Sequence, residues 1–441
     1  MAVAIRNAEQ IIADYAAARP RSAALAERAG GVLAGGVEHD MRISIPFPVY
    51  IERAEGAHKW DVDGHRYIDY IVGHGALLLG HNHPAILGPV REQLARGTHF
   101  GASHEQVIGW GERVLDLVPS AEFVRFLSSG TEATMMAMRM CRAVTGRDKV
   151  LKFQGHFHGW HEYAIVAYEE PFAIPTSAGV PQAVRDQVLA IPVNDEDLLA
   201  ETLGSRDDIA GVILEPSGGS WGWRPTELSW VRRLRELTAA HQIPLIFDEV
   251  VTGFRFGPGG YQGEFGIVPD LTTMAKIMAG GFPGAAVAGQ ARFLERLEYR
   301  GDSVWDRGQR IAHPGTYNGN PLSATAGAAV LEYIADGNVH AKINRLGDLL
   351  RDGIDAAFAE AGVPGGSYGS HSFFHITFNG EYGSAGTGPS KLFGCLMLEN
   401  GVHIGSHGGM LSAALDDADI DATVDAVRAS LEGLKRAGQL D

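Results

Sequence analysis

Cysteine is scarce in this sequence. Only Cys141 and Cys395 occur among 441 residues, far apart, so a disulfide-stapled scaffold is excluded and no CxxC pair is left for a metal or a redox couple. Both thiols are expected to be reduced and structural. No run of 18 apolar residues occurs, so no segment reads as a membrane-spanning helix, and no basic stretch followed by an apolar one opens the chain. A soluble, cytoplasmic protein is the expectation. Basic residues are outnumbered, 37 Lys and Arg against 53 Asp and Glu, for a formal charge of −16. With no Lys/Arg-rich run to offset that charge, neither nucleic acid nor a membrane is an expected partner.

What is present is an ordinary globular mixture, 45% apolar and 20% charged, long enough to divide into more than one domain. The Ala-rich stretch from Arg6 to Ala29, broken by Pro20, predicts two short helices meeting at a kink, an arm outside the core. An Asp-Gly turn inside WDVDGHRYIDYI predicts a hairpin. The middle of the chain alternates short apolar runs with helical patterns. FVRFLSS (123–129), KVLKFQG (149–155), AGVILEPS (210–217), PLIFDEV (244–250) and GAAVAGQ (284–290) read as strands, and the alternation predicts an α/β architecture with a mostly parallel sheet covered by helices. A long helix from Leu322 to Ile334 leads to a second, smaller α+β domain with helices near 342–361, 389–400 and 419–435 and a strand at 372–378. The expected division is an N-terminal arm and small-domain segment over 1–101, a large domain over 102–336 and a C-terminal small domain over 337–441.

Three segments carry chemistry. In SSGTEA (128–133), Ser129, Gly130 and Thr131 follow a predicted strand and open a predicted helix, where unpaired N–H groups and the helix dipole favour an anion. Ser129 equally suits an ordinary N-cap. In LIFDEVVTGFRFG, Asp248 ends a strand, the end at which ligands bind in open parallel sheets. A carboxylate there can hold a protonated pyridine nitrogen or simply cap a turn. In DLTTMAKIMAGGFPGAAVAG, Lys276 sits between Ala275 and Ile277. Burial of such a lysine lowers its pKa toward a nucleophilic amine, whereas an exposed one is merely a surface charge. The three together, with the lysine 28 residues after the aspartate, favour the chemical reading of each.

SSGTEA, GHFHGW (155–160), ILEPSGG (213–219), FDEVVTGFR (247–255), AKIMAGGFPGAA (275–286) and HPGTYNGNPLSATAG (313–327) occur in the order seen in class III aminotransferases. The sequence resembles the branch containing glutamate-1-semialdehyde aminomutase and β-amino-acid aminotransferases, from about Gly31 almost to the end. That resemblance implies the pyridoxal 5′-phosphate (PLP)-dependent transferase fold of type I. It implies that Lys276 holds PLP as a Schiff base and acts as catalytic base and acid, that Asp248 pairs with the pyridinium nitrogen, and that Ser129, Gly130 and Thr131 form the phosphate cradle. Phe157 matches the aromatic residue, often Tyr, that stacks on one ring face, and Val250 the residue on the other. Glu215 matches an acidic residue near the cofactor. Thr316 matches a threonine reaching the phosphate of the neighbouring subunit, which implies a homodimer with shared active sites.

AGGVEHDMR (34–42) is similar to an aminomutase stretch whose arginine receives the substrate carboxylate, so Arg42 is the substrate-binding candidate, although Ala34 and Glu38-His39-Asp40 depart from that stretch. A bidentate guanidinium suits the task; a surface arginine is the alternative. His156, His158 and His161 are spaced poorly for zinc, so no metal is expected and these histidines are read as lining the pocket or bonding locally. Trp221, Trp223 and Phe47 form either an aromatic wall or core. The resemblance implies an amino-acid donor, α or β, and an oxo-acid acceptor. Phe157 in place of Tyr, Ser220 in place of Asn, and the ending HIGSHGGMLSAALDDADID (403–421) weigh toward intermolecular transamination, with intramolecular aminomutase chemistry as the alternative.

Overall fold

The structure, a computed structural model, describes residues 6–173, 177–218, 224–378, 389–405 and 408–440. Ser220, Trp221 and Trp223 lie outside the described residues. In chain order the strands are β1 (Ile51–Glu55), β2 (His58–Asp61), β3 (Arg66–Asp69), β4 (Phe123–Leu127), β5 (Lys149–Phe153), β6 (Val188–Ile191), β7 (Ile209–Leu214), β8 (Leu245–Asp248), β9 (Leu271–Met274), β10 (Ala285–Gly289), β11 (Gly365–Tyr368), β12 (Phe373–Phe378), β13 (Val402–His403) and β14 (Gly408–Met410). They belong to two compact units, one of residues 1–73, 78–83 and 341–441, the other of 74–77 and 84–340.

The larger unit is built on a seven-stranded sheet in the order β4-β10-β9-β8-β7-β5-β6. Strands β9, β8, β7, β5 and β6 run parallel, and β10 is antiparallel to both β4 and β9. Five of the seven strands coincide with the apolar runs of the sequence. The helix Gly130–Thr145 crosses the sheet and buries Ala133, Met136, Met138, Met140 and Cys141 against it. On a sheet covered this way the central strands read as unbroken apolar runs, as IAGVIL does in β7, buried at all six positions. Pro321–Ile334 packs on Pro84–Arg96 and Glu105–Leu117. The expected segment boundary near Gly101 therefore falls inside this unit, because Pro84–Arg96 lends its apolar face to the larger core.

In the smaller unit β1-β2-β3-β13 form one sheet and β11-β12-β14 another, with the helices Ala8–Ala18, Asn338–Ala361, Pro389–Glu399 and Asp417–Arg436. The reading of the N-terminus as an arm outside the core is corrected here. Pro20 does separate Ala8–Ala18 from Pro20–Gly30, but Ile11 and Tyr15 are buried in the core of this unit, and Tyr15 donates from its hydroxyl to the Phe47 carbonyl at 2.9 Å. Phe47, partly buried, packs its ring 5.4 Å from that of Tyr15 and rests against this core. Among the described residues no helix is long and apolar enough to cross a membrane.

Candidate active site

Four loops meet at the edge of the large sheet formed by the C-terminal ends of its parallel strands. Asp248 is the last residue of β8 and is buried, 3% exposed. Its Oδ1 accepts from the Val250 N–H at 3.1 Å and from Thr273 Oγ1 at 3.2 Å, and its Oδ2 lies 2.7 Å from His158 Nδ1. Burial pushes the carboxyl up to about 6, against the pull of those donors and of Lys276. His158, equally buried, is driven well below the ordinary histidine range by burial and by the nearby Lys152. At neutral pH the pair is a carboxylate accepting from a neutral imidazole.

Lys276 comes two residues after β9 ends and opens a short 3-10 turn with φ of 55°. That left-handed conformation is costly for a residue with a side chain and is typical of residues whose position is dictated by function. Burial lowers the amine to about 8; the carboxylates of Asp248 and Glu215 oppose the shift and the guanidinium of Arg255 reinforces it. Arg255 is itself buried and donates from Nη2 to the Gly75 carbonyl at 2.9 Å. Glu215, just beyond β7, accepts from the Ser217 hydroxyl at 2.7 Å. With its pKa lowered this far, a substantial minority of the amine is neutral at physiological pH, so the group can serve as a nucleophile and a proton carrier.

The third loop joins β4 to the helix Gly130–Thr145. Ser129 is its N-cap, accepting from the Glu132 N–H at 3.3 Å, while Glu132 reaches back to accept from the Ser128 N–H at 2.9 Å. Ser129 is therefore an N-cap, and the first helical N–H groups, of Gly130 and Thr131, have no partner within the helix. Gly130 is closely packed. A Cβ there would stand 3.0 Å from Val250 Cγ2 and 3.7 Å from Ala275 Cβ, so this glycine brings the cradle against Val250 and the residue preceding Lys276.

The fourth loop follows β5. It closes on itself where the Gly155 N–H donates to the Ala167 carbonyl at 3.0 Å, and it carries Phe157 and His158. Thr134 donates to the His158 carbonyl at 2.5 Å. Gly159, at φ of 102°, rests on the cradle so closely that a Cβ would lie 2.6 Å from Thr131 Oγ1. Lys152, the fourth residue of β5 and wholly buried, donates to the carbonyls of Ala164 and Val166 at 2.6 and 2.7 Å. Phe157 is 38% exposed, its ring centroid 5.0 Å from that of Tyr168.

Asp248, Val250, Gly130 and Lys276 are thus brought together, with Glu215 close enough to act on the Lys276 charge. Thr316 is not joined to them. It is exposed on the loop before Pro321, and among the described residues no hydrogen bond ties it to Gly130 or Thr131 of its own chain. Arg42 belongs to the smaller unit, where it is exposed and pairs with Glu38 one helical turn away. Sequence reasoning missed the roles of His158, Thr273 and Lys152. His158 does not bond locally; its partner is 90 residues away. Lys152 left one signal, a charge inside the strand KVLKF.

The family model for aminotransferase class-III matches residues 41–408. The chain belongs to this family. It is 39% identical over 427 residues to a glutamate-1-semialdehyde 2,1-aminomutase of Methanothermobacter thermautotrophicus, covering 94% of this chain and 100% of the relative. Among solved structures it resembles an omega-transaminase from Sphaerobacter thermophilus, at 35% identity and a TM-score of 0.86 over 94% of this chain and 98% of the other. It also resembles a transaminase with PLP bound, at 32% identity and a TM-score of 0.85 over 95% and 98%. The fold is that of the type I PLP-dependent enzymes, and the cofactor of this member of the class III family is PLP.

Proposed function

We propose that this class III enzyme carries out intramolecular amino transfer of the glutamate-1-semialdehyde 2,1-aminomutase type, in a homodimer with shared active sites. The observation behind the amino-transfer chemistry is the convergence of a buried Lys276, a buried Asp248 and the Gly130 cradle on one sheet edge. The aminomutase reading rests on 39% identity to such an enzyme along nearly the whole chain. It reverses the preference drawn from Phe157, Ser220 and the C-terminal segment.

The residues suit PLP. Asp248 offers a buried carboxylate at the ligand-binding end of β8, Gly130 and Thr131 offer N–H groups at a helix start, and Lys276 offers a depressed amine. In this reading Lys276 attaches the cofactor, Asp248 receives the pyridinium nitrogen, Gly130 and Thr131 hold the phosphate with Thr316 of a second copy, and Val250 and Phe157 face the ring. Bound PLP supplies an electron-withdrawing ring that stabilises negative charge developing at the substrate Cα. With PLP bound, the Lys276 amine would be the group placed to take the substrate Cα proton and to return it. Glu215 adds negative charge that favours the protonated amine during this exchange, and Arg42 receives the substrate carboxylate.

A second reading, intermolecular transamination from an α- or β-amino acid to an oxo acid, is favoured by the likeness to the omega-transaminase and by Phe157 in place of Tyr. Supplying glutamate-1-semialdehyde alone decides between them. Conversion to the isomer with the amino group on the adjacent carbon, without any acceptor, is the expected result. Conversion only when pyruvate or 2-oxoglutarate is added to an amino donor selects the second reading. Retention of borohydride-fixed PLP by Lys276→Ala would refute both.

A further inference from the structure

Thr316 is exposed on a loop whose two ends are fastened to each other and to β4. His313 begins this loop and Asn318 ends it. Arg125, in β4, donates from Nε to His313 Nδ1 at 3.1 Å, and its Nη2 donates to the His313 carbonyl at 3.5 Å. The two arms of the Asn318 amide lie 3.2 Å from His313 Nε2 and 3.4 Å from Ser128 Oγ. Ser128 is itself held, its N–H donating to Glu132 at 2.9 Å. Within the loop the Asn318 N–H donates to the Gly315 carbonyl at 3.2 Å, and a Cβ on Gly315 would strike the Asn318 amide. Beyond it, His104 Nε2 lies 2.8 Å from the Gly319 carbonyl and Asn320 donates to the Thr98 carbonyl at 2.9 Å.

Chemistry sets the direction of these bonds. A guanidinium only donates, so His313 Nδ1 accepts. Burial and then Arg125 lower the His313 pKa, Arg139 adds to the shift and Glu132 opposes it, which leaves the ring neutral at pH 7 with its one proton on Nε2. An Asn318 amide with its oxygen on Nε2 and its NH2 group on Ser128 Oγ gives each donor an acceptor. Thr316 itself gains nothing from this order in its own chain, where its hydroxyl has no hydrogen bond among the described residues. A loop ordered in advance spares the cost of ordering it when it meets a ligand.

We propose that His313 and Asn318 are positioning residues that clamp the Thr316 loop onto Arg125 and Ser128, presenting the Thr316 hydroxyl preordered to the cofactor phosphate in a second copy of the chain. The clamp acts in trans. The chain's own cradle is set by the helix Gly130–Thr145 and its Ser129 cap. The proposal rests on the homodimer, and on the part Thr316 plays in it, under the proposed function.

Hybrid dimers of full-length chains separate the two sites. One subunit carries Lys276→Ala, so a single site per dimer forms a borohydride-fixable link to PLP, and its affinity is followed by absorbance. With Asn318→Ala on the Lys276→Ala subunit, the dissociation constant at the intact site is expected to rise roughly five- to tenfold, within the range for one hydrogen bond to a charged group. With Asn318→Ala on the intact subunit instead, it should stay close to the native value. Thr316→Val and Asn318→Ala together on the first subunit should weaken the site no more than Thr316→Val alone, because the clamp acts through that hydroxyl. His313→Leu should reproduce the loss, and His313→Gln, which keeps an acceptor for Arg125 and a donor for Asn318, should recover part of it. Equal losses in the two hybrids, or a double variant weaker than Thr316→Val, overturn the proposal. Nitrogen NMR of the ¹⁵N-histidine-labelled native holoenzyme, with the His313 signals assigned by their loss in His313→Gln, should show the neutral Nε2–H tautomer at pH 7. An Nδ1–H tautomer or an imidazolium refutes the clamp without recourse to a variant's affinity. If Thr316→Val on the Lys276→Ala subunit leaves the intact site unchanged, the underlying reading of Thr316 is refuted instead.

Discussion

Thr273 and Asp248 are register partners on neighbouring parallel strands, and Thr273 donates its hydroxyl to Asp248 Oδ1 at 3.2 Å. The bond is available because Thr supplies both a β-branched shape that suits a buried strand and an oxygen at its Cβ. Thr273→Val keeps the shape and removes the donor. A charged acceptor left one bond short costs about 1–3 kcal/mol. The dissociation constant for PLP at pH 7, followed by absorbance, should therefore rise by about tenfold, and the loss should shrink when Asp248 is already protonated near pH 5.

Asp248 also has a predictable effect on stability. Its pKa is raised by burial from 3.8 to about 6, so the folded apoprotein holds this proton more tightly than the unfolded chain. The favourable contribution is complete below pH 3.8 and disappears as pH rises through 6. Asp248→Asn apoprotein should match the wild type near pH 4 and be more stable at pH 8, by on the order of 2 kcal/mol. Thermal unfolding of the two apoproteins across that range checks the sign.

Lys276 must be neutral to capture PLP. With its pKa brought down to about 8 by burial, opposed by Asp248 and helped by Arg255, the rate of capture should climb between pH 7 and 9 with a midpoint near 8. Arg255→Gln removes the nearby cation and should move that midpoint upward. Stopped-flow absorbance at several pH values measures both.

Gly159→Ala tests the join between the Phe157 loop and the cradle. The added Cβ would approach Thr131 Oγ1 to 2.6 Å from a backbone at φ of 102°, a conformation that alanine adopts only under strain. A loss of about 1–3 kcal/mol is expected. Because the strain falls on the phosphate end, affinity for PLP should drop more than stability does.

Arg42→Ala should raise KM at least tenfold for a substrate carrying the carboxylate and change kcat little, the signature of binding shared by ground and transition states. An equal loss of kcat would assign Arg42 a different role.

The sheet was legible where strands are buried on both faces and apolar throughout, as in β7 and β8. It was not legible at β9, where LTTM is short and half threonine. Its two hydroxyls are polar only by composition; Thr272 serves Gln262 and Ser120, and Thr273 serves Asp248. At the site, Lys276, Asp248 and Gly130 could be named because each lies in an ordered motif next to a strand end. His158 could be seen as one of three clustered histidines, but its partner is set by how β5 and β8 lie across the sheet, separated by β7. Arg42 and Glu38 lie close in sequence, and their helical-turn spacing was readable without their pairing being so.

The order of strands across the large sheet bears on how the protein matures. The cradle follows β4, the His158 loop follows β5, Asp248 ends β8 and Lys276 follows β9, so the site draws on segments spread over some 150 residues of chain. Lys276 comes last in the chain, so no fragment that ends before it holds the complete set. Pairings this distant in sequence form slowly and late, and the yellow colour of captured cofactor should therefore appear only after the central strands have closed, giving a visible clock for the last step of folding.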